Sequence, residues 1–141
     1  MLTLLVALLA LLPLGSPKAG HEKEPALSCE VSDIRSPQTP WRRHSFRATR
    51  IVDLELEARL HGRSKRERRL QLHVYTPGGF LYQVLELPLD PASRKRVYNA
   101  RLPVAGTSIM TSGLYGRWKV VPYADDAREP CGRGRSFVIR P

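Results

Sequence analysis

The sequence has few of the residues that build metal centres. Its 141 residues include two cysteines, Cys29 and Cys131, and four histidines that are dispersed along the chain. A structural zinc ion needs four ligands in closely spaced pairs, and neither cysteine has a second cysteine or a histidine at that spacing. We therefore predict no metal site and no cofactor.

Motifs of catalysis are also lacking. Ser108 and Ser112 lie near glycines, but no Gly-x-Ser-x-Gly elbow surrounds them, and the chain has no glycine-rich phosphate loop. Asp125, Asp126 and Glu129 offer calcium ligands, yet their spacing matches no known calcium loop and is typical of a solvated turn. We predict that the protein is not an enzyme. The alternative is a catalytic site assembled from residues far apart in the sequence.

Long hydrophobic runs are lacking except at residues 2–14, which are almost entirely apolar and are followed by Gly15 and Pro17. A spanning helix needs roughly 20 apolar residues, and this shorter run is typical of the apolar region of a signal peptide. No Lys or Arg precedes it, so an uncleaved membrane anchor is the alternative. We predict a signal peptide at residues 1–20. The remaining residues, 21–141, then form a single secreted or periplasmic domain without a transmembrane span.

The export prediction decides how the two cysteines are interpreted. In an oxidising compartment an even pair favours a disulfide, here between Cys29 and Cys131. Lipidation of Cys29 is the alternative. The charged stretch at residues 21–24 separates Cys29 from the apolar run, which argues against that alternative.

Alternation of apolar and polar residues predicts strands along most of the domain. Leu54, Leu56, Ala58 and Leu60 alternate with charged residues, and this period of two fits a strand and not a helix. The predicted strands are residues 27–34, 52–61, 70–76, 80–87, 97–102, 118–123 and 137–139. Outside the apolar run at residues 2–14, the sequence shows no helical pattern. We therefore predict an all-β fold, a single immunoglobulin-like antiparallel β-sandwich of about seven strands.

Several positions within this sandwich carry specific expectations. Thr76-Pro77-Gly78-Gly79 predicts a hairpin with a type II turn. The strand after it is apolar on both faces, which suits a central or covered position. A hairpin of the two central strands could place His61 opposite His73, but two imidazoles without a third ligand bind metal weakly, so we predict no metal site there. Trp118 is the predicted core centre, and Trp41 and Phe46 are expected to anchor the irregular stretch 35–50 to the domain.

The order of features in residues 70–141 resembles the macroglobulin-type domains, the immunoglobulin-like sandwiches of alpha-2-macroglobulins and their bacterial relatives. The residues that carry the resemblance are Leu72 to Gly79, Ala100 to Pro103, Gly113 to Val120 and Ser136 to Ile139. The thioester segment Gly-Cys-Gly-Glu-Gln, with which macroglobulins capture proteases, does not occur in this chain. The resemblance therefore implies a scaffold or recognition module without covalent trapping.

The formal net charge of +10 is concentrated in two connectors between predicted strands and in a pair of arginines before them. Such residues can hold phosphate or sulfate groups through charge-assisted hydrogen bonds if they gather at one end of the sandwich. The candidate polyanion-binding residues are Arg42, Arg43, Arg63, Lys65, Arg66, Arg68, Arg69, Arg94, Lys95 and Arg96. Export and the lack of aromatic residues between these basic residues argue against nucleic acid as the ligand.

Two functions are consistent with these features. The first is a non-enzymatic binding or scaffold module for another envelope or extracellular protein. The alternative is a module that binds an anionic polysaccharide or lipid head groups through its arginine-rich connectors.

Overall fold

The structure is a computed structural model that describes Gly15 and residues 27–62 and 68–141. The predicted signal peptide, residues 1–20, and part of the first basic connector lie outside the described residues. The described part contains nine strands: β1 (Ser28–Arg35), β2 (Ser45–Arg47), β3 (Asp53–His61), β4 (Arg68–Tyr75), β5 (Leu81–Leu89), β6 (Val97–Pro103), β7 (Gly116–Ala124), β8 (Gly132–Arg133) and β9 (Arg135–Arg140). A 3-10 turn, Ala48–Arg50, and a one-turn helix, α1 (Ser108–Thr111), complete the secondary structure of this part.

The strands form a two-sheet sandwich, which confirms the predicted all-β fold. One sheet has the order β6-β3-β1-β8 and the other the order β2-β9-β7-β4-β5. The seven long strands correspond to the seven predicted strands. The short strands β2 and β8 were not predicted, and they pair in parallel with β9 and β1, so the sandwich is not antiparallel throughout.

Consecutive strands β3 and β4 lie in different sheets, since β3 pairs with β1 and β6, whereas β4 pairs with β5 and β7. The prediction of a hairpin between these two strands, which would bring His61 opposite His73, is therefore wrong. His61 instead lies beside Glu30 of β1, with 3.5 Å between its Nε2 and the carboxylate.

The core follows from the alternation of apolar residues. In β3, Leu54, Leu56, Ala58 and Leu60 are buried between the sheets, and each leucine contributes about 1.5–3 kcal/mol relative to an exposed position. Trp118 is completely buried, as predicted, and its indole N–H donates to the carbonyl oxygen of Leu114 at 2.9 Å. That hydrogen bond satisfies the one polar atom of the largest core side chain.

The hairpin between β4 and β5 is confirmed, but its turn type and the position of β5 differ from the prediction. The positive φ, +84°, falls on Gly79 and not on Gly78, as in a type I turn that is followed by a left-handed glycine. Strand β5 lies at the edge of its sheet and includes Pro88, because an edge strand tolerates a residue without an N–H. The apolar residues on both faces of β5 therefore do not reflect a position at the centre of the sheet.

The predicted disulfide between Cys29 and Cys131 is present, with 5.3 Å between the Cα atoms. The Cys29 N–H donates to the Cys131 carbonyl at 3.0 Å, and the Cys131 N–H donates to the Pro122 carbonyl at 3.0 Å. The segment before β8 therefore joins β1 of one sheet to β7 of the other. A Cβ atom at Gly132 would overlap the carbonyl oxygen of Cys29, so this crossing requires glycine.

The strand directions give the sandwich two distinct ends. Strand β3 runs between them, and its nine residues span about 30 Å. We call one the hairpin end, where the structure places residues 36–52, 76–80 and 104–115. We call the other the disulfide end, where it places Gly62 and residues 90–96 and 125–131.

Candidate functional site

The predicted polyanion-binding residues do not form one patch. Arg63, Lys65 and Arg66 lie outside the described residues. The structure places Arg68, Arg69, Arg94, Lys95 and Arg96 at the disulfide end. Arg42 and Arg43 lie in the connector from β1 to β2, at the hairpin end. Because the two groups are separated by the length of β3, they cannot bind the same small ligand.

At the disulfide end, the arginines that begin β4 face carboxylates of the same domain. The Arg68 Nε lies 3.6 Å from Asp125. The guanidinium of Arg69 lies 3.1 Å from Asp126 and 3.5 Å from Glu86. Asp125 and Asp126, two of the possible calcium ligands, therefore act here as partners of arginine. These pairs reduce the positive potential that an external anion would meet.

The connector from β5 to β6 has little room for an anionic group. The Arg96 guanidinium donates to the Gly62 carbonyl at 2.7 Å, and the Lys95 Nζ lies 4.8 Å from the centre of the Tyr98 ring. The cavity beside these residues, which Arg94 also lines, has a volume of about 20 Å³. Such a space holds about one water molecule.

A larger cleft opens at the hairpin end, with a volume of about 380 Å³. Strands β2 and β9 run in parallel there, and their register places Arg47 opposite Arg140. The 3-10 turn that follows β2 ends at Arg50. The residues that line the cleft are Thr39, Trp41, Arg42, Ser45, Phe46, Arg47, Arg50 and Arg140. Its volume is within the range of small-molecule sites.

The charged side chains that line this cleft in the described part of the chain are all positive. They are Arg42, Arg47, Arg50 and Arg140, and they define what we call the arginine cleft. Within residues 27–62 and 68–141, none of these four guanidiniums forms an ion pair. The neighbouring Arg43 differs, since it donates to the Pro40 carbonyl at 2.6 Å and lies 3.7 Å from Asp33. Arg43 is therefore not part of the cleft.

A threonine whose hydroxyl is buried lines this cleft. Thr39 is 9% exposed, and its Oγ1 atom has no hydrogen-bond partner in the part of the chain that the structure describes. Leaving a buried hydroxyl unpaired costs about 1–3 kcal/mol, and Thr39 lines the arginine cleft. The Oγ1 atom is itself buried, so a ligand in the cleft reaches it only if the Thr39 side chain turns.

Sequence reasoning found Arg42 but missed Arg47, Arg50, Arg140 and Thr39 as site residues. Arg140 follows Arg47 by more than 90 residues, and only the parallel pairing of β2 with β9 brings them together. Phe46 is buried as predicted, which fixes β2 against the core. The prediction for Trp41 was wrong, because its side chain is 74% exposed at the mouth of the cleft.

On the outer face of the five-stranded sheet, His73 lies between two tyrosines. The centre of its ring is 4.3 Å from that of Tyr123 and 6.5 Å from that of Tyr75. Burial lowers the pKa of His73 below its usual value of 6.5, and its Nε2 lies 3.3 Å from the Gln71 side-chain oxygen. Among the described residues, no three histidine, cysteine, aspartate or glutamate side chains converge to hold a metal ion.

No helix in residues 27–62 and 68–141 has the length and hydrophobicity needed to cross a membrane. No protein-family model matches the chain, and no curated protein sequence is similar to it. A β-glucosidase from Kluyveromyces marxianus has a similar solved structure, with a TM-score of 0.45 and 10% sequence identity. The similarity covers 82% of this chain but only 14% of that enzyme. At this TM-score it carries no inference about fold or activity, and the resemblance to macroglobulin-type domains stays a prediction.

Proposed function

We propose that the protein is a non-enzymatic binding module of the cell envelope or extracellular space, and that it holds an anionic group in the arginine cleft. The observation that carries the proposal is the convergence on one cleft of four guanidiniums that form no ion pair with the described residues, none of whose acidic side chains lines the cleft. The Cys29–Cys131 disulfide is compatible with the proposed secreted or periplasmic location.

The chemistry of the lining favours phosphate or sulfate groups as the ligand. A guanidinium is planar and presents paired N–H donors that match the oxygens of these anions. The Ser45 hydroxyl, which also lies at the cleft, is a further hydrogen-bond donor. Four neighbouring cations also repel one another, and a bound anion removes that repulsion.

This cleft favours the anion-binding role over that of a scaffold for another protein. A scaffold surface has no need of four adjacent arginines without acidic partners, whereas an anion site requires them. Hydrogen bonds to charged groups contribute about 1.5–3 kcal/mol each in sheltered geometry and less at an exposed site such as this one. Several of them acting together give an affinity that depends on salt concentration.

Elution from a heparin column with a salt gradient tests the proposal. We expect Arg47→Ser/Arg50→Ser to elute at lower salt than the unmodified protein, with heparin affinity at least about tenfold weaker. The matched control is Arg94→Ser/Lys95→Ser, which removes the same two charges at the disulfide end. It should elute close to the unmodified protein.

Equal shifts in both variants would contradict the proposal, because net charge alone would then explain retention. Release of the unmodified protein at low salt would contradict it as well. All four substituted side chains are exposed, so the unfolding midpoints of the variants should stay near that of the unmodified protein. Measuring those midpoints separates a lost site from a lost fold.

A further inference from the structure

Exposed apolar side chains gather at the hairpin end, where the arginine cleft opens. The large apolar side chains of the described residues that are exposed are Trp41 at 74%, Val52 at 57%, Phe80 at 75% and Leu81 at 52%. Trp41 lies in the connector from β1 to β2, and Val52 directly precedes β3. Phe80 and Leu81 lie where the hairpin turn enters β5. All four positions therefore belong to the same end of the sandwich.

The acidic side chains are not found among these exposed apolar groups. The described residues 36–52, 76–80 and 104–115 of the hairpin end include no acidic residue, and the carboxylates in the adjoining ends of β1 and β3 lie beside arginines: Asp33 beside Arg43, Asp53 beside Arg101, and Glu55 beside Arg35. Asp90, Asp125, Asp126 and Glu129 lie at the disulfide end. The hairpin end thus combines exposed apolar groups with uncompensated positive charge.

The spacing of the exposed apolar groups decides which ligand fits them. Trp41 lines the cleft beside β2, at one edge of the five-stranded sheet, and Phe80 precedes β5 at the other edge. Four interstrand spacings separate these edges, about 19 Å. A ligand that fills a cleft of about 380 Å³ does not extend that far. A broad surface that carries anionic groups at its face and an apolar layer beneath them contacts both edges at once.

We propose that the hairpin end docks on the surface of an anionic lipid bilayer. Trp41, Phe80 and Leu81 enter the interfacial region, where aromatic and aliphatic side chains are favoured. The arginine cleft holds the phosphate of a lipid head group. The negative surface potential of the bilayer also attracts the other arginines at the hairpin end. This inference rests on the proposed function, because it identifies the source of the anion that the cleft binds.

Cosedimentation with vesicles tests the inference, with the protein expressed from its full coding sequence and recovered after export. We expect binding to vesicles that contain roughly a third phosphatidylglycerol and much weaker binding to pure phosphatidylcholine. Phe80→Ala/Leu81→Ala, which removes two exposed apolar side chains outside the arginine cleft, should weaken partitioning into the anionic vesicles at least about tenfold. Its elution from heparin should not change. The comparison uses preparations whose intact mass shows that residues 1–20 are absent, because an attached apolar segment would itself bind vesicles.

Tryptophan fluorescence provides a second readout. The chain has two tryptophans, and Trp118 is completely buried, so a vesicle-induced blue shift reports on Trp41. The control Arg94→Ser/Lys95→Ser should show the full shift, whereas Arg47→Ser/Arg50→Ser should lose most of it.

Two outcomes overturn the inference and leave the proposed function in place. In the first, heparin elution depends on Arg47 and Arg50 but no vesicles sediment the protein, which would identify a soluble polyanion as the ligand. In the second, vesicle binding is the same with and without the Phe80 and Leu81 side chains. If heparin elution does not depend on Arg47 and Arg50 at all, the proposed function fails and this inference fails with it.

Discussion

The Cys29–Cys131 disulfide closes a loop whose ends are 102 residues apart in sequence, which is most of the domain. In the chain-entropy model, a cross-link of this length removes about 4.7 kcal/mol of conformational freedom from the unfolded chain at 25 °C. Measured values are commonly about 2–4 kcal/mol. We therefore expect Cys29→Ala/Cys131→Ala to lower the free energy of unfolding by about 2–4 kcal/mol.

The assay is urea unfolding of the unmodified protein and the double variant, followed by tryptophan fluorescence. For a domain of this size, the same loss corresponds to a fall in melting temperature of about 8–16 °C. The slope of unfolding free energy against urea should rise in the variant, because an unfolded chain without the cross-link exposes more surface.

The reduced unmodified protein is the control that separates the cross-link from packing. It keeps both sulfur atoms, those of the buried Cys29 and the half-buried Cys131, but lacks the bond, so it should be destabilised about as much as the double variant. If reduction costs less than about 1 kcal/mol while the variant loses much more, buried sulfur and not loop closure is the cause. That result would refute the reasoning.

Two further predictions concern a close contact and a titrating group. Gly132→Ala should destabilise the fold by about 1–3 kcal/mol, because its Cβ overlaps the Cys29 carbonyl. Gly78→Ala should cost less, because its Cβ comes no closer than 3.3 Å to its neighbours, and the nearest of them is the exposed Phe80 ring. Urea unfolding of both variants checks this, and equal stabilities would contradict it. Burial lowers the pKa of His73 in the folded state, so the unfolded chain binds more protons and stability falls as the pH drops below about 6.5. His73→Gln should reduce this pH dependence in unfolding measurements at pH 5 and pH 7.5; an unchanged slope would exclude His73 as its source.

The sequence by itself determined the class of the fold and its covalent closure. The alternation of Leu54, Leu56 and Leu60 with charged residues specifies a strand with one buried face, because side chains alternate across a strand regardless of its partners. The pairing of Cys29 with Cys131 followed from the cysteine count and the predicted compartment. Trp118 was identifiable as core from its size and its place in a strand.

Only the tertiary structure decided the site. Local pattern does not encode which strands become neighbours, so the separation of β3 from β4 and the parallel pairing of β2 with β9 were not predictable. That pairing joins Arg47 to Arg140 and creates the arginine cleft. The same topology places Arg42 and Arg94 at opposite ends, although both lie in basic segments of similar composition. Charge density along a sequence shows how many cations a chain carries, but chain packing decides which of them share a cleft and which meet a carboxylate.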